Sequence, residues 1–269
     1  PVLLGAKALS VSLSDIASMG GVPLFFLVSL SLPPGTEKKF IERLYKGIST
    51  RAKGSGCALA GGNVSKSREI SITTTVIGEA RRGDIVYRKG ARADDTIYIT
   101  GCAGDSALGL AELKRKGLAR SLKGPFRAQV LRHLDPAPRL EAGRALARGR
   151  LASSMIDISD GVALDLKRLC AESNTGAVIE VGRLPVSGGL ERYRREGGRD
   201  WASLALSGGE DYELLFTAPA ARAASIGRLS ERLDLRISAI GRITKGKSVR
   251  ILKPDGSAMK LKKAGFLHF

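Results

Sequence analysis

The sequence predicts a two-domain fold of the α/β class, in which an α+β unit (residues 1–84) precedes an α/β unit (residues 85–269). Apolar residues at helical spacing alternate with short apolar or β-branched runs along the whole chain. A polar connection around Gly83-Asp84 and Gly90-Ala91 separates two differently ordered stretches, and we take it as the boundary region. The 269 residues, 43% of them hydrophobic, are sufficient for two domains of ordinary size or one large one.

The first unit is predicted to contain two helices and three strands. Leu9 and Leu13 keep helical spacing until Gly20-Gly21 ends the first helix, and Thr36 is expected to cap the second. The predicted order is helix, strand, helix, strand, strand, with strands at 25–32, 57–60 and 70–77. The second strand is expected to run into a turn at Gly61-Gly62-Asn63.

The second unit is predicted to be a mixed sheet with flanking helices, because strands and helices alternate before several short strands close the chain. The expected strands are 96–100, 151–156, 177–181, 212–217, 237–243, 249–252 and 258–261. The expected helices are about 105–117, 125–134, 139–148, 162–170, 188–195 and 226–233.

Composition argues against several classes of protein. The net charge of +18 raises nucleic acid as a partner, but the basic residues are scattered and aromatics are only 5%, so we favour solvated surface. Three cysteines without a CxxC pair argue against disulfides and zinc ribbons and indicate a reducing cytoplasm. Two histidines exclude a His-rich metal site. No apolar run approaches the roughly 20 residues that span a bilayer, so no membrane association is expected.

The stretch Asp157-Ile158-Ser159-Asp160-Gly161 joins a predicted strand to a predicted helix. Residues two apart in a strand share a face, so Asp157 and Ser159 can point the same way, with Asp160 next at the turn. Carboxylates this close repel one another unless a cation lies between them, and Mg²⁺ prefers such oxygens. Helix capping by one Asp or Ser is the alternative, but it accounts for only one of the three polar groups.

Three further clusters place polar groups beside glycine or at element ends: Ser14-Asp15, Gly61-Gly62-Asn63 and Gly208-Gly209-Glu210-Asp211. Glycine lets the backbone approach a phosphate, and free N–H groups at turns can donate to the anion. Arg88 could pair with a phosphate through its planar fork. Each also has an ordinary interpretation: Gly-Gly turns are common, Asp15 could face solvent, and Arg88 could be a surface arginine. The P-loop and GxGxxG motifs are absent.

These motifs recur in a fixed order, and the chain resembles a known family in them. The blocks are residues 12–23, 61–67, 88–91, 100–107, 133–139, 157–161, 207–214 and 265–266. In this order they resemble the thiamine-monophosphate kinase family, part of the aminoimidazole-ribonucleotide-synthetase-like ATP-binding superfamily. The resemblance extends over essentially all 269 residues.

The resemblance implies a homodimer in which the sheets of two N-terminal domains pair into a β-barrel, with ATP near that interface. It implies transfer of the ATP γ-phosphoryl group to thiamine monophosphate, with Mg²⁺, giving thiamine diphosphate and ADP. By motif, the metal ligands would be Asp15, Asn63, Asp157 and Asp160. The ATP contacts would be Gly62, Asn63, Arg88 and Ser159, and the thiamine monophosphate contacts would be Glu210 and Phe266. The catalytic residues would be Asp157, Asp160 and Arg88.

Two departures from the family pattern matter. Asn63 stands where many members carry Asp, which leaves one negative charge fewer. The family also has an acidic segment before the position of Pro1, and we expect poor or no kinase activity from a polypeptide that lacks it. Three alternatives stay open: another kinase or synthetase of the superfamily, a basic nucleic-acid-binding protein, and a relic whose site has decayed.

Overall fold

The N-terminal part of the computed structural model, which describes residues 1–266, is a three-stranded sheet covered by two helices. Its elements are α1 (Val2–Ser18), β1 (Val22–Leu32), α2 (Lys38–Ser55), β2 (Ala58–Lys66) and β3 (Ser71–Glu79). β1 is central, parallel to β2 and antiparallel to β3. The predicted order of helix, strand, helix, strand, strand is therefore confirmed.

Alternation along β1 gives this sheet one buried face and one open face. Phe26 and Leu30 pack with Leu44 of α2 in the core beneath the helices. Phe25 and Leu27, which point the other way, are 49% and 40% exposed. The open face is therefore partly apolar, while the core lies on the helix side.

The rest of the described chain forms a six-stranded mixed sheet with helices around it. The strand order is β5-β7-β4-β8-β6-β9, and only the β6–β9 pair is parallel. This confirms a mixed α/β fold with two sheets. The strands are β4 (Thr96–Thr100), β5 (Ser154–Asp157), β6 (Gly176–Glu180), β7 (Leu214–Ala218), β8 (Ile237–Thr244) and β9 (Val249–Leu252). The α-helices are α3 (Asp105–Ser121), α4 (Arg127–Leu134), α5 (Leu140–Arg148), α6 (Val162–Ser173), α7 (Gly188–Arg195), α8 (Trp201–Ser207) and α9 (Ala223–Arg232).

The turn expected at Gly61-Gly62-Asn63 is wrong, because these residues lie inside β2. β2 pairs in parallel with β1 as far as Lys66, opposite Leu32. Gly62 lies so close to β1 that a Cβ there would be 2.0 Å from the carbonyl oxygen of Val28. The glycine therefore permits close strand packing rather than a reversal of the chain.

Two smaller expectations also fail. Glu37, not Thr36, is the N-cap of α2, and the Thr36 hydroxyl instead donates to the carbonyl of Pro33 at 2.8 Å. The strand expected at 258–261 is, within the described residues, a single bridge between Leu252 and Ala258. The chain then leaves the sheet, and the amide of Phe266 donates to the Asp160 carbonyl at 3.0 Å. Helix α8 was not expected from the sequence.

Helix α1 connects the two sheets. It packs on α2 and β3 on one side, and on α5 and β5 on the other. Ala17, near its end, is buried together with Leu146 of α5 and Met155 of β5. This packing brings Ser14 and Asp15 beside the end of β5. None of the helices in residues 1–266 combines the length and apolar composition that crossing a membrane requires.

Candidate active site

Asp157 ends β5 and begins the loop that leads into α6. In the first turn of α6, the Asp165 carboxylate accepts hydrogen bonds from the amides of Ser159, Asp160 and Gly161, at 3.1, 2.9 and 3.1 Å. Asp165 is fully buried. The chain itself therefore fixes the shape of this loop. Sequence reasoning missed Asp165, although an acidic residue in the first turn of a helix is a usable signal.

The same contacts correct an expectation about phosphate binding. Turns beside glycine were expected to offer free amides to a phosphate, but at residues 159–161 all three amides donate to Asp165. The carbonyl of Ser159 accepts from the amide of Glu210 at 2.8 Å. Ser159 therefore has its hydroxyl, rather than its backbone, to offer a ligand.

Asp157 is the most buried of the predicted site residues, at 3% exposed. The Ser14 hydroxyl in α1 donates to Asp157 Oδ2 at 2.7 Å. This hydrogen bond links the N-terminal helix α1 to the end of β5 in the six-stranded sheet. Burial is the main cause that raises the pKa of Asp157 to about 6; the Ser14 hydrogen bond opposes the rise, and the negative charge of Asp15 contributes to it. Asp15 follows Ser14 directly in the chain, so the Ser14–Asp157 hydrogen bond brings Asp15 near Asp157.

Asp15 faces a cavity of about 370 Å³ that Arg88 also lines. Asp15 is on the exposed side of α1, in agreement with the alternative that it faces solvent. It nevertheless lies beside the predicted site. Burial raises the pKa of Asp15, and the Arg88 guanidinium opposes that rise. Met19 and Tyr87, at 45% and 56% exposed, line the same cavity.

Asp160 points toward a different set of partners. Arg168 of α6 donates from Nη1 to Asp160 Oδ2 at 2.5 Å and to Asp165 Oδ1 at 2.7 Å. Asp160 also lines a second cavity, of about 750 Å³. The motif at 157–161 therefore presents one carboxylate toward α1 and another toward the larger cavity.

The loop containing Gly208 to Glu213 packs directly on the loop after β5. The amide of Glu210 donates to the Ser159 carbonyl, and that of Tyr212 donates to the Ile158 carbonyl at 2.9 Å. Glu210 and Tyr212 have left-handed backbones, with φ of 64° and 51°, which is uncommon for residues other than glycine. A Cβ at Gly209 would lie 2.5 Å from the Ser159 carbonyl oxygen, so glycine is needed for this approach.

Two acidic residues of this loop anchor it to the rest of the domain. Asp211 accepts from the amides of Gly104 and Ser106, at 2.7 and 3.0 Å, at the start of α3. Burial raises the pKa of Asp211 to about 7, and these two amides oppose the rise. Glu213 is fully buried and accepts hydrogen bonds from the side chains of Thr100, Arg132 and Arg139.

The larger cavity brings together four of the predicted site residues: Ser159, Asp160, Glu210 and Phe266. The ring of Phe266 is 60% exposed. Glu210 Oε2 lies 3.3 Å from Lys7 Nζ and 3.3 Å from His133 Nδ1, so its carboxylate is held from α1 and from α4. Sequence reasoning gave no role to Lys7. The cavity thus has carboxylates, hydroxyls and an exposed aromatic ring along its walls.

Gly62 and Asn63 are placed differently. Both are exposed on β2, and the described hydrogen bonds and ion pairs do not join either of them to Asp15 or Asp157. Within residues 1–266, no three His, Cys, Asp or Glu side chains form a group that could hold a metal ion. The chain therefore offers the pair Asp15 and Asp157, rather than a complete cage of protein ligands.

Comparisons with known proteins decide the family. The description "AIR synthase related protein, N-terminal domain" matches residues 1–80, and "AIR synthase related protein, C-terminal domain" matches residues 92–253. Thiamine-monophosphate kinase of Aquifex aeolicus (strain VF5) is 36% identical over 270 residues, which covers 100% of this chain and 82% of that protein. The chain belongs to the thiamine-monophosphate kinase family. Its counterpart in Bacillus subtilis (strain 168) is 35% identical, with the same two coverages.

Solved structures of the family share this fold. Thiamine-monophosphate kinase from Stenotrophomonas maltophilia K279a has a TM-score of 0.87 at 35% identity, covering 96% of this chain and 80% of that one. AaThiL complexed with AMPPCP and TMP also has a TM-score of 0.87 at 35% identity, covering 100% of this chain and 81% of that one. The hydrogenase maturation protein HypE in complex with ATP, at 19% identity and a TM-score of 0.78, shows likeness of fold alone.

Proposed function

We propose that this protein transfers the γ-phosphoryl group of ATP to thiamine monophosphate, giving thiamine diphosphate and ADP. The observation that carries the proposal is the 750 Å³ cavity, which places Glu210 and Phe266 beside Asp160 at the motif that also contains Asp157. Family membership supports it, as does the relative complexed with AMPPCP and TMP. We prefer it to the nucleic-acid-binding and relic alternatives because the carboxylates and the aromatic ring line one cavity.

Thiamine monophosphate is assigned to the larger cavity. Its thiazolium ring is positively charged, and the exposed face of Phe266 suits such a ring through a cation–π contact. The Glu210 carboxylate, 40% exposed and held by Lys7 and His133, adds an acceptor and a negative charge nearby. These two residues then fix the heterocycles, so the phosphate end of the substrate lies toward Asp160 and Ser159.

ATP is assigned to the side of the site that holds Asp15 and Arg88. The guanidinium of Arg88 offers paired donors to phosphate oxygens, and the Ser159 hydroxyl adds another at the loop. Gly62 and Asn63 are assigned to the nucleotide site as well, and both lie in β2, at the open face of the N-terminal sheet.

The proposal includes a homodimer in which the open faces of two N-terminal sheets form a barrel. Phe25, Leu27 and Ile77 are exposed on that sheet, and β2 is its edge strand, with backbone groups available for pairing. A dimer would cover this apolar surface and bring Gly62 and Asn63 to an interface.

The proposal also includes a division into two domains after residue 84, which the two separate sheets support. It includes a cytoplasmic location as well, with which the three free cysteines agree.

Mg²⁺ fits the donor set of this site. Asp15 and Asp157 are neighbouring carboxylates whose mutual repulsion contributes to the raised pKa of Asp157, and a divalent cation would relieve that repulsion. Mg²⁺ usually takes one or two carboxylates together with substrate phosphates, so a full protein cage is unnecessary. Asp15 and Asp157 would hold it, Asp160 and Asn63 stay predicted ligands from the sequence motif, and when bound the ion would neutralise charge on the transferring phosphoryl group.

The chain's part in the reaction is then placement and charge balance. A phosphate oxygen of thiamine monophosphate forms a bond to the γ-phosphorus, while the bond from that phosphorus to the bridging oxygen breaks and its electrons leave with ADP. Because the second pKa of a phosphate monoester is about 6, the attacking oxygen is largely ionised at neutral pH and needs no strong base. Arg88 and Ser159 orient the donor phosphates, and Glu210 and Phe266 orient the acceptor.

The test is formation of thiamine diphosphate and ADP from ATP, Mg²⁺ and thiamine monophosphate. We expect equal amounts of the two products and little ADP when thiamine monophosphate is omitted. Asp157→Ala should abolish both, whereas Asp255→Ala, a change at an exposed residue remote from the cavities, should have no effect. ADP release that does not depend on thiamine monophosphate would contradict the proposal. Salt-sensitive RNA binding without heat stabilisation by Mg-ATP would favour the nucleic-acid alternative.

A further inference from the structure

Tyr212 is a buried residue of the larger cavity that the proposed reaction does not use. Its side chain lines the cavity although the residue is only 8% exposed. Among residues 1–266, none hydrogen-bonds with its hydroxyl. The oxygen is not among the buried polar atoms that lack a partner, so it reaches the open space of the cavity, where a ligand atom can accept from it.

The position of Tyr212 is set by the two packed loops. Its left-handed backbone, with φ of 51°, is unfavourable for an aromatic residue and persists only where the surroundings determine it. The amide of Tyr212 donates to the Ile158 carbonyl at 2.9 Å, inside the motif that holds Asp157 and Asp160. The phenol is therefore fixed in relation to the predicted catalytic carboxylates.

The surroundings of the phenol are strongly acidic. Burial raises the pKa of Tyr212, and the negative charges of Glu210, Asp157, Asp15 and Asp160 raise it further. A tyrosine with an ordinary pKa of about 10 is already protonated at neutral pH, so the hydroxyl is a neutral donor with or without a bound cation. It is thus a hydrogen-bond donor near four carboxylates, in the cavity assigned to thiamine monophosphate.

We infer that Tyr212 is a further catalytic residue, whose hydroxyl donates a hydrogen bond to a phosphate oxygen of thiamine monophosphate and keeps its proton throughout. The inference rests on the proposed function for the identity of the ligand. The acceptor phosphate is favoured over the nucleotide because Tyr212 shares its cavity with Glu210 and Phe266, whereas Asp15 and Arg88 line the other cavity.

The test is Tyr212→Phe, which removes the hydroxyl and keeps the ring. We expect kcat/KM for thiamine monophosphate to fall about 10- to 100-fold, as for loss of a hydrogen bond to a charged group, while KM for ATP stays unchanged. The matched control, Tyr193→Phe, removes a hydroxyl that donates to Asp200 at 2.7 Å in an exposed pair and should leave both constants unchanged. The melting temperature without ligands should also be unchanged, because the Tyr212 hydroxyl has no partner in the described chain.

Thiamine, which lacks the phosphate, separates a phosphate contact from a general disturbance of the cavity. Tyr212→Phe should weaken binding of thiamine monophosphate but leave the inhibition constant of thiamine unchanged. Equal weakening of both ligands, or an unchanged kcat/KM, would overturn the inference. If Tyr212→Phe melts at a lower temperature, both proteins are measured at a temperature where both are folded. The ratio of the affinities for thiamine monophosphate and thiamine then still tests the inference. Failure of the unaltered protein to bind thiamine monophosphate would overturn the proposed function as well.

Discussion

Replacing Asp157 with asparagine is expected to stabilise the ligand-free protein above neutral pH while removing its response to Mg-ATP. Asp157 is 3% exposed and is a neighbour of Asp15. Its ionised form therefore lacks water and faces a like charge. Asparagine keeps the shape and can still accept from the Ser14 hydroxyl, which donates to Oδ2 at 2.7 Å in the unaltered protein.

The magnitude follows from the pKa of Asp157, which burial raises from 3.8 to about 6. A raised pKa means that folding favours the protonated carboxyl group. The stability that protonated Asp157 contributes is therefore complete below the pKa of the unfolded state and is lost as the pH rises through about 6. Since one pKa unit corresponds to about 1.4 kcal/mol, the ionised carboxylate costs the folded protein about 3 kcal/mol. Asparagine never ionises and avoids that cost.

Urea unfolding at about pH 8 and about pH 4, without ligands, measures the effect. The free energy of unfolding of Asp157→Asn should exceed that of the unaltered protein by about 1–3 kcal/mol at the higher pH. At the lower pH the difference should be less than about 1 kcal/mol. Glu231→Gln, a change at an exposed residue of α9, should give no pH-dependent difference. Mg²⁺ with a non-hydrolysable ATP analogue should stabilise only the unaltered protein. Equal stability of Asp157→Asn and the unaltered protein at both pH values would refute this account of the buried carboxylate.

Three further predictions concern the loop, the substrate and the dimer. Asp165→Ala should lower the free energy of unfolding by about 3–5 kcal/mol, because three loop amides lose a buried acceptor; unchanged urea unfolding would contradict this. Glu210→Gln should raise KM for thiamine monophosphate about tenfold with KM for ATP unchanged, and steady-state kinetics showing the reverse would refute the assignment. Leu27→Asp should convert dimers to monomers in sedimentation experiments, whereas Leu118→Asp, at a residue 53% exposed on α3, should not; a dimeric Leu27→Asp would contradict the interface.

Most strands and helices could be predicted because their apolar spacing is local information. The interior of β2 could not, since Gly61-Gly62-Asn63 resembles a turn until the neighbouring strand is known. Only the pairing with β1, and the approach of Gly62 to the Val28 backbone, shows why glycine is needed there. Helix α8 has only seven residues, too few for a clear periodic pattern.

The candidate site was predictable as residue types but not as an arrangement. The 157–161 motif indicated a cation site, and the structure adds that Ser14, 143 residues away along the chain, donates to Asp157. Contacts over such separations depend on how α1 packs, which no local pattern encodes. Asp165 is different, because a carboxylate in the first turn of α6 is visible in the sequence and such a residue can accept from the amides that precede the helix.

The acidic residues around the site divide by the partners that the chain gives them. One group is buried and accepts at least two hydrogen bonds from within the domain, and its members hold the loops in place: Asp165, Asp211 and Glu213. The other group lines the two cavities: Asp15, Asp160 and Glu210. The loops therefore have their shape before any ligand binds.

This division has a consequence for catalysis. Because the first group already fixes the loops, substrate binding energy is not needed to order them and remains for positioning the two phosphates. The carboxylates of the second group face the cavities together with cations of the chain: Asp160 pairs with Arg168, Glu210 pairs with Lys7, and Arg88 lines the same cavity as Asp15. Under the proposed function, Mg²⁺ and the substrate phosphates would add further charge at these cavities, and the Tyr212 hydroxyl would donate to one of the phosphates. Ligand binding should thus change the electrostatics of this site far more than its backbone.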